Sequence, residues 1–276
     1  MMYSPVIHNS RFLKSRFKYH KPIEIFVDKF NDTKVPDGTI RIIILQEPKE
    51  QWLIDKVQNK RYSDCYSYVF TYYQDIVSVN KKAVYFLCAE SWIRDFDNFE
   101  KKFGVSTLVG GKARDIMDGY KVRHSLWRRQ DEIIIPKDFY LSSACKFEEA
   151  DYNKCLVLPT EPCHKSLMFN TEYHIAIENT MLYSAFSEKL LDCFRTKTIP
   201  IHYGTYSISD YFNSDGIFSV NSTDDIINVC NTLVPGIYTD KLDAIEDNYL
   251  KAASYLSRTE ILDKKLKEVL VQGEYE

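Results

Sequence analysis

The chain has 276 residues, a formal net charge of −3 and a pI near 6.1, a balance that argues against nucleic acid as its main partner and requires any anionic ligand to be met by a local cluster of cations. Hydrophobic residues make up 45% and aromatic residues 14%, with only 9 Gly and 9 Pro, which excludes a disordered or fibrous chain and leaves material for one or two packed domains. Seven cysteines, odd in number and without a CxxC pair, fit thiols in a reducing compartment rather than a disulfide framework.

In chain order, the first ~35 residues mix aromatic and basic side chains without periodicity, and no apolar stretch of signal-peptide type stands among them. The longest apolar runs, RIIIL and VYFLCA, fall short of the ~20 residues that span a bilayer. A soluble, cytoplasmic chain, at most peripheral to a membrane, is expected. The turn signal VPDGT leads into the strand-like TIRIIIL, where the α/β core is expected to begin. SYVFTYYQDIVSV follows, then the strand AVYFLCA, a helix around DNFEKKF and the strand VSTLVGG, an alternation that predicts a largely parallel sheet. In DGYKVRHSLWRRQ, Val122, Leu126 and Trp127 form the apolar face of a helix whose other side is basic. EIIIPKDFY reads as strand and turn. The irregular run Leu141 to Phe169 separates two expected domains, residues 1–145 and 146–276.

The second half opens on the strand EYHIAIEN. Ser187 is placed to cap a helix that turns Leu190, Leu191 and Phe194 to the core, and TIPIHYG supplies the next strand. GIFSVNSTDDIINVCNTL repeats turn, strand and a helix capped by Ser222 or Thr223, and Lys241 to Val271 is mostly helical by periodicity and charge.

Polar residues cluster at two chain reversals of this half. Glu178 and Asn179 end a strand, the edge at which open α/β sheets bind ligands, and a polar turn would explain them as well. Glu188 and Lys189 open a helix, where free N–H groups and the dipole favour a phosphate. Glu188 suits either dipole compensation or a ribose diol. RDFDNFEKKF contains the pair Asp95 and Asp97, read as helix capping, and His124, His164, His174 and His202 lack metal-ligand spacing, so no metal site is predicted.

The composite EYHIAIENTMLYSAFSEKLLDCFRTKTIPIHYG, continued through SISDYFNSDGIFSVN, resembles the signature of the α1,3/4-fucosyltransferases, glycosyltransferase family 10, in the manner of a soluble bacterial or viral member. The resemblance implies two Rossmann-like halves facing a cleft, a GT-B-type architecture with C-terminal helices. The donor GDP-fucose would bind the C-terminal half and a glycan acceptor the N-terminal half, with no tightly bound cofactor and no strict need for a divalent metal. By matching position, Glu188 binds the donor ribose, Lys189 its phosphates and Asn179 the nucleotide side. The family often has Tyr where this chain has Ala185, and Tyr183 is the candidate replacement. VSTLVGGKARDIMDGYKVRHSLWRRQ is similar to the family's strand and following helix, and puts Arg123 at its diphosphate-binding Arg. IRIIILQEPKE and SYVFTYYQDIVSV resemble its N-terminal segments, offering Glu47 first and Asp75 second as the base that takes the acceptor proton in an inverting transfer. Either acid also fits an ordinary strand end. The alternatives are the same fold with another nucleotide sugar, and a nucleotide-sugar or glycan-binding protein without turnover.

Overall fold

The computed structural model describes residues 2–48, 51–94, 96, 100–110, 117–142, 156–157 and 162–271. They form two compact α/β units, Met1–Ala89 with Ser257–Glu276, and Glu90–Leu256.

In the first unit, β1 (Val6–His8), β2 (Ile23–Val27), β3 (Ile40–Leu45), β4 (Tyr68–Thr71) and β5 (Ala83–Tyr85) pair in that order, every pair parallel. A parallel strand covered on both faces has no polar side to show, which is why β3 reads as an unbroken apolar run. Ile42 and Ile44 pack with Leu262, Leu266 and Leu270 of the C-terminal helix Arg258–Leu270, while Ile43 and Leu45 pack with Leu53, Ile54 and Val57 of α1 (Gln51–Gln58) and Ile76 of α2 (Gln74–Val79). The sheet begins earlier than TIRIIIL, because β1 and β2 precede it. Their shortness, and the basic segment between them, hid the period-two pattern.

The second unit holds β6 (Lys102–Val109), α3 (Asp118–Arg128), β7 (Lys137–Leu141), β8 (Leu156–Val157), β9 (Thr171–Leu182), α4 (Glu188–Arg195), β10 (Ile199–Thr205), β11 (Phe218–Ser219), α5 (Thr223–Thr232), α6 (Ile237–Asp240) and α7 (Leu242–Ala252). Its strands lie in the order β11-β10-β9-β6-β7-β8, again with every pair parallel. Counted from β6, this is the 3-2-1-4-5-6 order of a doubly wound, Rossmann-like sheet, and the winding reverses between β6 and β9. The last β6–β9 partner pair is Thr107 with Ile175, so from Ala176 β9 continues paired with β10 and no longer with β6. Leu126 and Trp127 of α3 and Ile226 and Ile227 of α5 bury against Val105, Tyr173, Ile175 and Ile201 of the sheet, with Val122 half-buried beside them.

Two expectations change. The compact units differ from a division at residue 145, since β6, α3 and β7 share a sheet with β9 and β10, and the C-terminal helix belongs to the first unit. The helix expected around DNFEKKF does not reach its end: Lys102 and Phe103 begin β6, where Lys102 pairs with Thr171. Asp95 and Asp97 lie outside the described residues. Cys65, Cys193 and Cys230 are buried thiols. Among the described residues no helix is long and apolar enough to cross a membrane, and no group of three or more His, Cys, Asp or Glu is placed to hold a metal ion.

Candidate functional site

Where the winding of the second sheet reverses, adjacent strand ends are followed by chains that leave in opposite directions, and a crevice opens between them. A cavity of about 330 Å³ occupies this place, lined by Leu108 and Gly110 of the β6 end, Ile177 and Asn179 of β9, Arg123 of α3, and Glu188 and Lys189 at the start of α4. Arg123, Asn179, Glu188 and Lys189, singled out from the sequence, therefore meet in one place.

Arg123 projects from the face of α3 that lies on β9, and only 6% of it is exposed. Its Nε donates to the Ile177 carbonyl at 3.1 Å, and its Nη2 donates to the same carbonyl and to Asn179 Oδ1 at 3.0 Å. The guanidinium also sits 4.9 Å from the centre of the Tyr120 ring. Burial pulls its pKa down, against the opposing pull of Glu178 and Tyr120. Close approach of α3 to β9 makes this geometry reachable: a Cβ on Gly119 would overlap the Glu178 carbonyl oxygen.

At α4 the side chain of Ser187 accepts from the Lys189 N–H, the expected cap, and Leu190, Leu191 and Phe194 are buried as the helical period requires. Glu178 lies behind this cap. Its carboxylate accepts from the Ser187 N–H at 2.8 Å and from Ser187 Oγ at 2.7 Å, and stands 3.6 Å from Lys189 Nζ. Glu178 does not line the cavity; it fixes the residues that do. Lys189 Nζ also bonds Glu188 Oε1 at 3.0 Å. Burial acts to raise the Glu188 carboxyl, yet Lys189 and Lys165 hold it down, at about 2. For Lys189, burial opposes the charge, and Glu178 and Glu188 outweigh it to raise the pKa.

Trp92, Lys165 and His174 also line the cavity, and the sequence reading did not place them there. Lys165, from the turn of helix Pro162–Phe169, places Nζ 4.5 Å from the ring centre of Trp92 and 2.5 Å from Asp192 Oδ2. Asp192, on α4, is fully buried; its Oδ1 accepts from Ser91 Oγ at 2.8 Å, the Trp92 N–H at 2.7 Å and the Ile93 N–H at 3.3 Å. A charged residue inside the apolar run LLDCF was the available signal. His174 completes the wall, with Nδ1 2.7 Å from Ser106 Oγ. Burial, helped by Lys165 and Lys101, depresses its pKa to about 3, so the ring is neutral. The lining thus carries three cations, Arg123, Lys165 and Lys189, against one carboxylate, Glu188, while Glu178 and Asp192 stand behind the cations. Such a wall is suited to a ligand bearing two or more negative charges.

Tyr183 is 65% exposed and does not line this cavity, and the Ala185 side chain is buried. Glu47 and Asp75 belong to the first unit. Both are exposed, Glu47 just past β3 and Asp75 in the first turn of α2. Asp28, in a left-handed conformation (φ +48), accepts from the N–H groups of Gln46 at 2.7 Å and Glu47 at 3.1 Å, and Tyr73 Oη donates to the Glu47 carbonyl at 3.2 Å. The turn that carries Glu47 is thereby fixed from two sides.

No family model matches the chain, and no curated protein matches it by sequence. Among solved structures it is similar to Anabaena Alr3699/HepE in complex with UDP over 85% of this chain and 72% of that one, at 12% identity and a TM-score of 0.58. It is similar to TarM over 89% and 54%, at 12% identity and a TM-score of 0.55. An α1,3-fucosyltransferase with GDP is similar over 96% and 81%, at 14% identity and a TM-score of 0.52. At these identities the likeness is one of fold, and it agrees with two Rossmann-like α/β halves of the GT-B type.

Proposed function

We propose that the chain is an inverting glycosyltransferase that moves fucose from GDP-fucose to a hydroxyl of a glycan acceptor. The observation that supports it best is the cavity at the winding reversal, where Arg123, Lys165 and Lys189 meet the start of α4. In this reading the unit Glu90–Leu256 holds the donor. Lys189, Arg123 and the α4 N–H groups face its diphosphate, and Glu188, ionised above about pH 2, accepts from the ribose hydroxyls. The other unit meets the acceptor.

Glu47, or else Asp75, takes the acceptor proton as the acceptor oxygen bonds to the anomeric carbon and the bond from that carbon to the phosphate oxygen breaks. The leaving GDP gains negative charge at that moment, and prearranged cations stabilise it more than they stabilise the bound donor. No protein nucleophile and no metal step enters this scheme. The choice of fucose rests on the motif resemblance, chiefly IEN, SEKL and IPI. A different nucleotide sugar is the competing donor, and buried Ala185, which offers no donor contact where the resembled family often has Tyr, is the residue that favours it.

Thermal shift with GDP-fucose, GDP-mannose and UDP-sugars, followed by GDP release with a panel of glycan acceptors, tests the reading. GDP-fucose should stabilise the protein, and release should disappear in Lys189→Ala and Glu47→Gln. Stabilisation by UDP-sugars alone would overturn the donor, and donor binding without release on any acceptor would make the protein a binder.

A further inference from the structure

Charge is distributed unevenly along this chain. Residues 1–23 contain Arg11, Lys14, Arg16, Lys18 and Lys21 and no acid, so that, the whole being −3, the remainder sums to −8 after subtracting these five positive charges. The fold holds the cations on one side of an extended segment. Leu13 and Tyr19 are buried, Tyr19 Oη donates to the Leu270 carbonyl at 3.0 Å, and Asp263 accepts from Ser15 Oγ and from the N–H groups of Arg16 at 3.0 Å and Phe17 at 3.3 Å. With alternate residues anchored inward, Lys14, Arg16 and Lys18 stand outward and exposed. Among the described residues Arg11, Lys14, Arg16 and Lys21 form no ion pair, and Lys18 Nζ bonds Ser4 Oγ. The Asp263 carboxylate faces the backbone of this segment.

Apolar side chains accompany the cations. Phe12 is 76% exposed, and residues 2–6 run alongside the strip through the Tyr3–Tyr19 bridge, bringing Met2, 60% exposed, and Val6, 56% exposed. Unpaired cations beside exposed Phe, Met and Val match the two components of an anionic bilayer surface, its headgroup charge and its acyl boundary. Nucleic acid would use the charge but leave exposed Met2 and Val6 without an apolar partner.

We propose that this strip is a docking surface for an anionic lipid bilayer, on which the protein lies without spanning it. The test is cosedimentation of the full chain with phosphatidylcholine vesicles and with vesicles that also contain phosphatidylglycerol, across a salt series. Binding is expected on the anionic vesicles alone and should weaken with salt. The triple change Lys14→Gln, Arg16→Gln, Lys18→Gln should lower affinity about 100-fold, from about five-fold per charge. The matched triple Lys29→Gln, Lys34→Gln, Lys60→Gln, which alters net charge equally at exposed positions elsewhere in the same unit, should leave binding unchanged. Phe12→Ser should weaken binding at high salt as well, where the charge component is screened. Sites so exposed should not disturb folding, which circular dichroism checks. No binding to anionic vesicles, equal binding to neutral ones, an unaffected first triple, or equal affinity for a DNA oligonucleotide at matched salt would each overturn the proposal.

Discussion

Removing the buried carboxylate of Asp192 should cost the second unit heavily. It is fully buried and accepts four hydrogen bonds, from Ser91 Oγ, the N–H groups of Trp92 and Ile93, and Lys165 Nζ. In Asp192→Ala these donors lose their acceptor together, and breaking a buried pair by deleting one partner costs ~3–5 kcal/mol. The lower end, about 3 kcal/mol, is expected, since the Lys165 side chain keeps 15% exposure and can turn to water. Asp192→Asn preserves the Oδ1 acceptor but sets an amide NH₂ against an ammonium, and should cost ~1.5–3 kcal/mol. Urea denaturation of wild type, Asp192→Ala, Lys165→Met and the double variant yields the coupling directly, expected at more than ~1 kcal/mol for residues in one network. Affinity for GDP, the proposed donor nucleotide, should fall in Asp192→Asn, because Asp192 bonds Lys165 Nζ and the Trp92 N–H, and both residues line the cavity. A cost below ~1 kcal/mol for Asp192→Ala would refute this account of a buried, fully used carboxylate.

Three further outcomes follow from the same geometry. Arg123→Lys keeps the charge but loses the fork that bonds Ile177 and Asn179 together, so calorimetric GDP affinity should drop about ten-fold or more, a loss near 1.4 kcal/mol. Gly119→Ala must push α3 off the Glu178–Asn179 backbone and should destabilise by ~1–3 kcal/mol as overpacking does, with weakened GDP binding beside it. His174 stays neutral in the fold down to about pH 3, whereas the unfolded ring gains a proton below its ordinary value near 6.5, so stability should fall as the pH drops through that window, by ~1.4 kcal/mol per pH unit. Buried His202, shifted in the same direction, and Glu188, held at about 2 against an ordinary 4.5, add losses of the same sign, so His174→Asn should flatten the melting-temperature profile between pH 6.5 and 4 without abolishing its slope.

The legible parts of the molecule were those specified by nearby residues. α4 is an example: Ser187 caps it and Leu190, Leu191 and Phe194 follow at helical spacing, so a window of eight residues defined it. Asn179, Glu188 and Lys189 drew notice because each stands near an element end, where a doubly wound sheet gathers ligand contacts, whereas Arg123, in the middle of α3, was singled out only through the motif resemblance. Trp92 and Lys165 were not, for they reach the cavity through Asp192, about 100 and 27 residues away in sequence, and no local pattern encodes such a meeting. The role of Glu178 was half visible. Its polarity in an apolar strand was apparent, but it was expected at the strand end, whereas β9 runs on to Leu182, and its partner Ser187 shows it to be the support of a helix cap. The division of the chain went astray on the irregular run after Leu141, because strand pairing across that run, β6 with β9, is a long-range choice.

The immobilisation of Arg123 bears on the entropy of binding. An arginine side chain carries ~2 kcal/mol of rotamer freedom, which a mobile surface arginine surrenders when it grips a phosphate. Here the guanidinium is already fixed by the Ile177 carbonyl, Asn179 and the Tyr120 ring, so that freedom is lost on folding, and an arriving anion meets a group that need not be ordered again.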